Sequence, residues 1–226
     1  MVTSRMVDGA VYLVEDDEAV RDAISLVLRT AGLRVQAFPT AESFLDAYVS
    51  GGGPEVLVVD VRLPRMSGLD LQNRLADSGC DAPIVLISGH GDVPMARQAL
   101  KAGALDFIQK PIDDKVLLAT IAQGMRIASD NKIRAAQLEE IERRLQTLTT
   151  REREVMDHVV AGASNKAVAA QLGISPRTVE VYRKRVMEKM RARTLPDLVR
   201  LAEACGRTCQ EGSAFVITLT GLAQLL

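Results

Sequence analysis

Five short runs of aliphatic and β-branched residues are spaced through the first half of the chain. They are AVYLV at 10–14, LRVQA at 33–37, EVLVV at 55–59, PIVLI at 83–87 and LDFIQ at 105–109. Runs this continuously apolar are expected of strands covered on both faces. The stretches between them, about ten to fourteen residues each, repeat apolar positions at helical spacing, as at Val20, Ile24, Val27 and Leu28. Gly32 and Gly103 fall where helix C-caps are needed, and Asp92 followed by Pro94 marks a helix start. Five β/α units in succession predict an α/β domain over 8–125, a doubly wound five-stranded parallel sheet with helices on both faces.

From Asp113 the helical pattern runs past the usual length. Leu118, Ile121 and Met125 continue the packing face, and Leu138, Ile141, Leu145 and Leu148 follow among charged residues. Asn131 and Arg134 interrupt the stripe, which leaves two readings of 126–146: one long linker helix, or a short coiled coil between two protomers. Residues 147–207 read as all-α, with four helices. Thr149 and Glu152 form a capping box, Ser164 or Asn165 caps a helix ending at Gly173, Ser175 caps a third with Pro176 in its first turn, and Thr194 with Pro196 starts a fourth. A tail, 208–226, closes the chain; its last stretch, 212–226, is uncharged and apolar but, at about 15 residues, too short to cross a bilayer.

Composition narrows the class. The chain is 47% hydrophobic and 25% charged, as in an ordinary globular protein, and at 3% aromatic with no Trp its core must be aliphatic. No apolar run precedes Asp8, so no signal peptide is expected, and no membrane partner is expected either. Cys80, Cys205 and Cys209 are odd in number without paired-ligand spacing, which suits a reducing cytoplasm. The net charge of -1 hides an asymmetry: residues 1–125 hold 11 Lys+Arg against 17 Asp+Glu, and residues 147–207 hold 12 against 7. An acidic front and a basic back point to different partners, the basic one facing a polyanion.

Ligands of an open α/β sheet bind at the carboxyl ends of its strands, near the switch in strand order. Here Glu15, Asp16 and Asp17 follow the first strand, Asp60 the third, Ser88 the fourth and Lys110 the fifth. If the first and third strands are neighbours, several carboxylates converge, which is costly unless a cation sits among them. Hard oxygen donors with open positions suit Mg2+. An aspartate beside Mg2+ and a lysine is a competent phosphoryl acceptor, and the Ser88 hydroxyl could bond the phosphoryl oxygen. Asp17 has a second reading, as a helix cap.

The runs VYLVEDDEAVR, VVDVRLPRMSG, LISGHGDVPMA and AGALDFIQKP resemble a CheY-like receiver of the FixJ subgroup of response regulators. That resemblance implies strand order 2-1-3-4-5, Asp60 as phosphoacceptor, and Glu15 and Asp16 as metal-binding acids, with the backbone carbonyl of Arg62 as a further Mg2+ ligand. It also implies Ser88 as switch hydroxyl, Lys110 as phosphate-contacting lysine and a cis Lys110–Pro111 bond. The spacing of 44 residues between Asp16 and Asp60 agrees with the family. The aromatic switch position falls on Phe107, which has no hydroxyl, so a switch there works by packing. His90, two residues after Ser88, has two readings: an influence on the hydrolytic water, or a solvated loop histidine.

In the back half, the helix from Pro176 places Val179, Val186 and Met190 along one face with Tyr182 at its margin, leaving Arg177, Glu180, Val181, Lys184 and Arg185 outward. Such a basic helix on a compact helical unit suits a DNA major groove. The stretch from LTTREREV to VMEKM resembles a LuxR-type four-helix helix-turn-helix domain. The family then implies that 176–191 enters the groove, with Thr178 among the contacts, that Lys166 touches phosphate, and that the helix around Leu198 forms a dimer contact. Together these readings imply a cytoplasmic transcription regulator, not an enzyme. A sensor histidine kinase is expected to phosphorylate it on Asp60; receivers then pair, or release the DNA-binding domain, and a homodimer binds promoter DNA, engages RNA polymerase and activates transcription. Two rivals are a metal-dependent phosphohydrolase and a DNA binder indifferent to phosphorylation.

Overall fold

The computed structural model describes residues 9–49, 53–89 and 93–206. His90, Asp92 and the tail 208–226 therefore lie outside the described residues. The chain divides into two units, Met1–Arg134 and Ala135–Leu226.

The first unit is the α/β fold. Its strands are β1 (Ala10–Val14), β2 (Arg34–Phe38), β3 (Glu55–Asp60), β4 (Ile84–Ser88) and β5 (Asp106–Gln109), all parallel, in the order β2-β1-β3-β4-β5. Between them run α1 (Glu18–Thr30), α2 (Ala41–Ala47), α3 (Gly68–Asp77) and α4 (Val93–Lys101), with α5 (Asp114–Gln146) after β5. The pleat splits the strand side chains into two cores. Val11, Leu13, Val56, Val58, Val85 and Ile87 meet Ile24 and Leu28 of α1 and Leu117, Ile121 and Met125 of α5. Tyr12, Val14, Leu57, Val59 and Leu86 meet Phe44, Leu71, Leu75 and Ala99 of α2 to α4.

Strands β1, β3 and β4 are covered on both faces, as their apolar runs predict; against that expectation β5, at one edge, is only partly buried, and so is β2. Strand β2 forms the other edge of the sheet, so Arg34, Gln36 and Ala37 are exposed. It also starts one residue later than its run: the Leu33 N–H closes the end of α1 on the Leu28 carbonyl, with Gly32 in the left-handed conformation between them. Leu117, not Leu118, is the buried residue in the first turn of α5.

The helix α5 continues for 33 residues, and the division between the units falls within it. In the second unit its last turns join α6 (Thr150–Val160), α7 (Asn165–Leu172), α8 (Pro176–Met190) and α9 (Leu195–Ala204). Leu145 and Leu148 are buried with Val155, Met156, Val179, Val186, Met190 and Leu198, and Ile141 packs on the same core. Three of the four stripe residues thus serve this unit's own core, and Leu138 alone is exposed, at 39%. The stripe is consequently not a seam left open for a second protomer. Leu198 is likewise fully buried in the core, so it is not itself available for a dimer contact.

Candidate functional site

The strand ends bring the acids together. In β1 and β3, neighbours in register, Val14 lies beside Val59, so Glu15 and Asp16 emerge next to Asp60. Carboxylate oxygens of Glu15, Asp16 and Asp60 lie within 4.8 Å of one another. Glu15 and Asp60 are buried and Asp16 is exposed. Asp17 does not join them: its carboxylate caps α1, accepting from the Ala19 and Val20 N–H groups at 2.9 and 3.1 Å.

Lys110, just past the end of β5, reaches over the cluster. Its ammonium donates to Glu15 Oε2 at 2.7 Å and to Asp60 Oδ2. Its backbone N–H donates to the Ser88 carbonyl at 2.8 Å, tying the ends of β4 and β5, and the Lys110–Pro111 bond is cis. Ser88 is buried at the end of β4. Phe107 is half-buried against the core on the α2–α4 side. The Arg62 N–H donates to Asp60 Oδ1 at 2.8 Å, which fixes the rotamer of that carboxylate.

Burial pushes the Glu15 carboxyl above its usual range; the Lys110 hydrogen bond pulls it down and the Asp60 charge adds to the rise. Burial works against the Lys110 ammonium as well, yet its bonds to Asp60 and Glu15 outweigh this and hold it above the ordinary lysine value. When ionised, the three clustered carboxylates outnumber the single ammonium. Glu15 Oε1 is buried without a well-formed hydrogen bond, the Asp17 N–H giving the carboxylate only weak backbone support. An under-bonded carboxylate oxygen among hard donors fits a small divalent cation, and Glu15, Asp16 and Asp60 are the residues that would hold it.

Two residues not singled out in the sequence shape this pocket. The position of Gly68 admits no side chain, because a Cβ there would lie 2.2 Å from the Asp60 carbonyl oxygen. Arg21 Nη1 donates to the carbonyls of Glu15 at 2.9 Å and Asp16 at 3.2 Å. Gly68 stands inside a quoted motif, yet the close approach that requires it is visible only in three dimensions.

In the second unit α8 buries Val179, Val186 and Met190, with Tyr182 partly buried at the margin. Arg177, Glu180, Val181, Lys184 and Arg185 are exposed on the other side, as is Lys166 on α7. Thr178 differs: it is half-buried, and its hydroxyl is bonded at 2.8 Å to that of Ser175, whose oxygen also caps α8. Arg177 pairs with Glu180 at 3.2 Å and Lys184 with Glu188 at 3.9 Å, all along the exposed face. Two longer-range contacts brace the helix. Arg183 Nη1 donates to Asn165 Oδ1 at 3.2 Å, and Lys189 Nζ donates to Glu152 Oε2 at 2.6 Å and to the Thr147 carbonyl at 2.9 Å.

An acid cluster with a lysine at the strand ends of a doubly wound sheet, followed by a helical unit presenting a basic helix, defines a two-component transcriptional response regulator. The comparisons agree. The family described as "Response regulator receiver domain" matches residues 11–122, and "Bacterial regulatory proteins, luxR family" matches 146–202. The chain is 46% identical to the transcriptional regulatory protein FixJ of Rhizobium meliloti (strain 1021), over 89% of this chain and 98% of that one. It is 43% identical to the response regulator protein TmoT of Ectopseudomonas mendocina, over 87% and 89%. Among solved structures, the response regulator StyR superposes with a TM-score of 0.76 at 37% identity, covering 87% of this chain and 98% of StyR. Full-length FixJ from B. japonicum gives 0.54 at 42%, covering 89% and 99%. The chain belongs to the FixJ-like response regulators of the NarL/FixJ family.

Its receiver and helix-turn-helix imply a kinase partner and promoter DNA. Among the described residues no helix is long and apolar enough to cross a membrane.

Proposed function

We propose that the chain is a cytoplasmic, phosphorylation-gated transcription activator, with a receiver at 8–125, a linker at 126–146 and a DNA-reading domain at 147–207. The observation that carries this reading is Asp60, 5% exposed, bonded to the Lys110 ammonium and within 4.8 Å of two further carboxylates. The ionised forms of Glu15, Asp16 and Asp60 against one ammonium leave two negative charges, the number a divalent cation cancels.

In this reading the Asp60 carboxylate attacks the phosphorus of a phosphohistidine on the sensor kinase. The new O–P bond forms as the P–N bond breaks, and the leaving imidazole takes up a proton. Glu15, Asp16, Asp60 and the Arg62 carbonyl would hold Mg2+, which when bound would supply charge neutralisation for the phosphoryl oxygens. Lys110 exchanges its bond to Asp60 for one to the phosphoryl group, Ser88 donates its hydroxyl to it, and Phe107 repacks. The receiver turns over no substrate beyond its own phosphoryl group. The phosphorylated chain pairs with a second copy. Two α8 helices then read half-sites through Arg177, Glu180, Val181, Lys184 and Arg185, with Thr178 holding the start of the helix and Lys166 on phosphate, and the dimer engages RNA polymerase.

The test is binding of the full chain to genomic DNA fragments with and without beryllofluoride and Mg2+, beside Asp60→Asn. Tighter, site-selective binding in the treated wild type alone is expected. Equal binding in all samples would leave a DNA binder without a switch, and catalytic release of phosphate from a small ester would indicate a phosphohydrolase.

A further inference from the structure

The geometry points to Arg21 as the positioning residue of the acid loop, a guanidinium clamp that holds Glu15 and Asp16 in a cation-ready arrangement before any cation arrives. The inference rests on the reading of Glu15, Asp16 and Asp60 as a divalent-cation site.

The loop between β1 and α1 is three residues long, Glu15 to Asp17, and carries two of the three clustered acids. Its ends are fixed by the backbone and the cap. The Glu15 N–H donates to the Phe38 carbonyl of β2 at 3.0 Å, and Asp17 caps α1. What sets the two peptide planes between these points is Arg21. It stands on α1, its own N–H bonded to the Asp17 carbonyl at 2.9 Å, and its half-buried side chain turns back over the loop. Nη1 then donates to the Glu15 carbonyl at 2.9 Å and the Asp16 carbonyl at 3.2 Å. The orientation of those peptides decides where the two carboxylates point. With no cation present, the acids repel one another and favour any loop conformation that spreads them. The guanidinium opposes that spreading by anchoring two successive carbonyls at fixed positions. A lysine at 21 could donate to either carbonyl as a point charge but lacks the planar, delocalised group that pre-sets the angle between its donors.

Arg21 acts on the two loop carbonyls, so its effect belongs to cation affinity and not to the transfer step. Loss of a residue that orients metal ligands typically weakens metal binding about 10- to 100-fold. The experiment is titration calorimetry of Mg2+ into the full-length wild type, Arg21→Ala and Arg21→Lys, with phosphoryl uptake from a small phosphodonor measured across a Mg2+ series on the same samples. The expected result is a Mg2+ dissociation constant raised about tenfold in Arg21→Ala and by less in Arg21→Lys, with the uptake rate at saturating Mg2+ within about twofold of wild type. Arg21→Lys keeps the argument testable if Arg21→Ala misfolds. Wild-type affinity for Mg2+ in Arg21→Lys and in any folded Arg21→Ala would overturn the clamp and leave the cation site standing. An equal loss of rate at saturating Mg2+ would overturn it too, by placing Arg21 in the transfer step. A wild type that binds no Mg2+ would overturn the cation site itself and the clamp with it.

Discussion

Replacing Glu152 with Gln should loosen the second unit near the C-terminal end of α8, by an amount that depends on pH. Glu152 is 3% exposed and does two jobs with one carboxylate oxygen. Oε2 accepts from the Thr149 N–H at 2.9 Å, closing the capping box of α6, and from Lys189 Nζ of α8 at 2.6 Å. Glutamine keeps the shape and the acceptor for Thr149 but loses the charge. A hydrogen bond to a charged group contributes about 1.5–3 kcal/mol. Lys189 is 35% exposed, so water compensates part of its loss, and about 2 kcal/mol is the expected cost. That corresponds to about a 30-fold fall in protection from opening.

The readout is native-state hydrogen exchange of the full chain, followed in peptides from α6 and α8 and corrected for intrinsic rates. Burial alone would raise the Glu152 carboxyl, but the bonds from Lys189 and Thr149 outweigh it and hold the group below its usual range. A depressed folded value contributes stability that is fully present above the unfolded carboxyl value, about 4.3, and lost as pH falls through the folded value. The gap between wild type and Glu152→Gln should therefore be constant from about pH 6 to 8 and shrink below about 4.3. Equal protection at pH 7 would refute the contribution of the ion pair, and a gap unchanged in acid would refute its electrostatic origin.

Two further outcomes follow from the same kind of reading. Gly68→Ala would drive a methyl group to within 2.2 Å of the Asp60 carbonyl oxygen, so the backbone must yield; a loss of about 3 kcal/mol in the receiver's urea unfolding is expected, and a wild-type midpoint would refute the contact. Arg185→Ala, which removes an exposed cation with no part in the core, should weaken binding to duplex DNA and lower the log–log salt slope by about 1; an unchanged slope would take Arg185 off the DNA.

Some of this was legible in the chain for plain physical reasons. Central parallel strands are covered on both faces, so VLVV of β3 and IVLI of β4 read as unbroken apolar runs; the same reading failed for LRVQA, because β2 lies on the edge and exposes Arg34 and Gln36. The cap residues Thr149, Ser164, Ser175 and Thr194 bond within three residues of themselves, so local sequence contains both partners. The acid cluster could be anticipated because the ends of neighbouring strands must meet. The contacts that tune it span distances that no local pattern encodes: Lys110 reaches Glu15 across 95 residues and Asp60 across 50. Glu152 was visible as a cap, but Lys189, 37 residues on, was not visible as its partner. The stripe of Leu138, Ile141, Leu145 and Leu148 was ambiguous for a different reason, since a helix packing on its own domain and one packing on a second copy show the same spacing.

Two lysine–carboxylate contacts, Lys110 with Glu15 and Asp60 and Lys189 with Glu152, have opposite electrostatic balances, and the contrast separates a brace from a reactive site. At Lys189 and Glu152 the donors on the carboxylate outweigh its burial, the acid lies below its ordinary range, and the ion pair is complete in itself. At Lys110 the ammonium is shared between Glu15 and Asp60, burial outweighs it at Glu15, and one oxygen of that carboxylate lacks a well-formed hydrogen bond. A pair kept only to hold two elements together gains nothing from such a surplus, because unpaired buried charge costs stability. Folding tolerates it where a ligand supplies the missing charge, which is why surplus negative charge at strand ends is informative about function in a way that the exposed pairs Arg151–Glu154 and Arg177–Glu180 are not. The same imbalance gives the switch its drive in the proposed reading. A phosphoryl group on Asp60 changes the charge that Lys110 faces, and the backbone bond from Lys110 to Ser88 carries the adjustment from the end of β5 to that of β4.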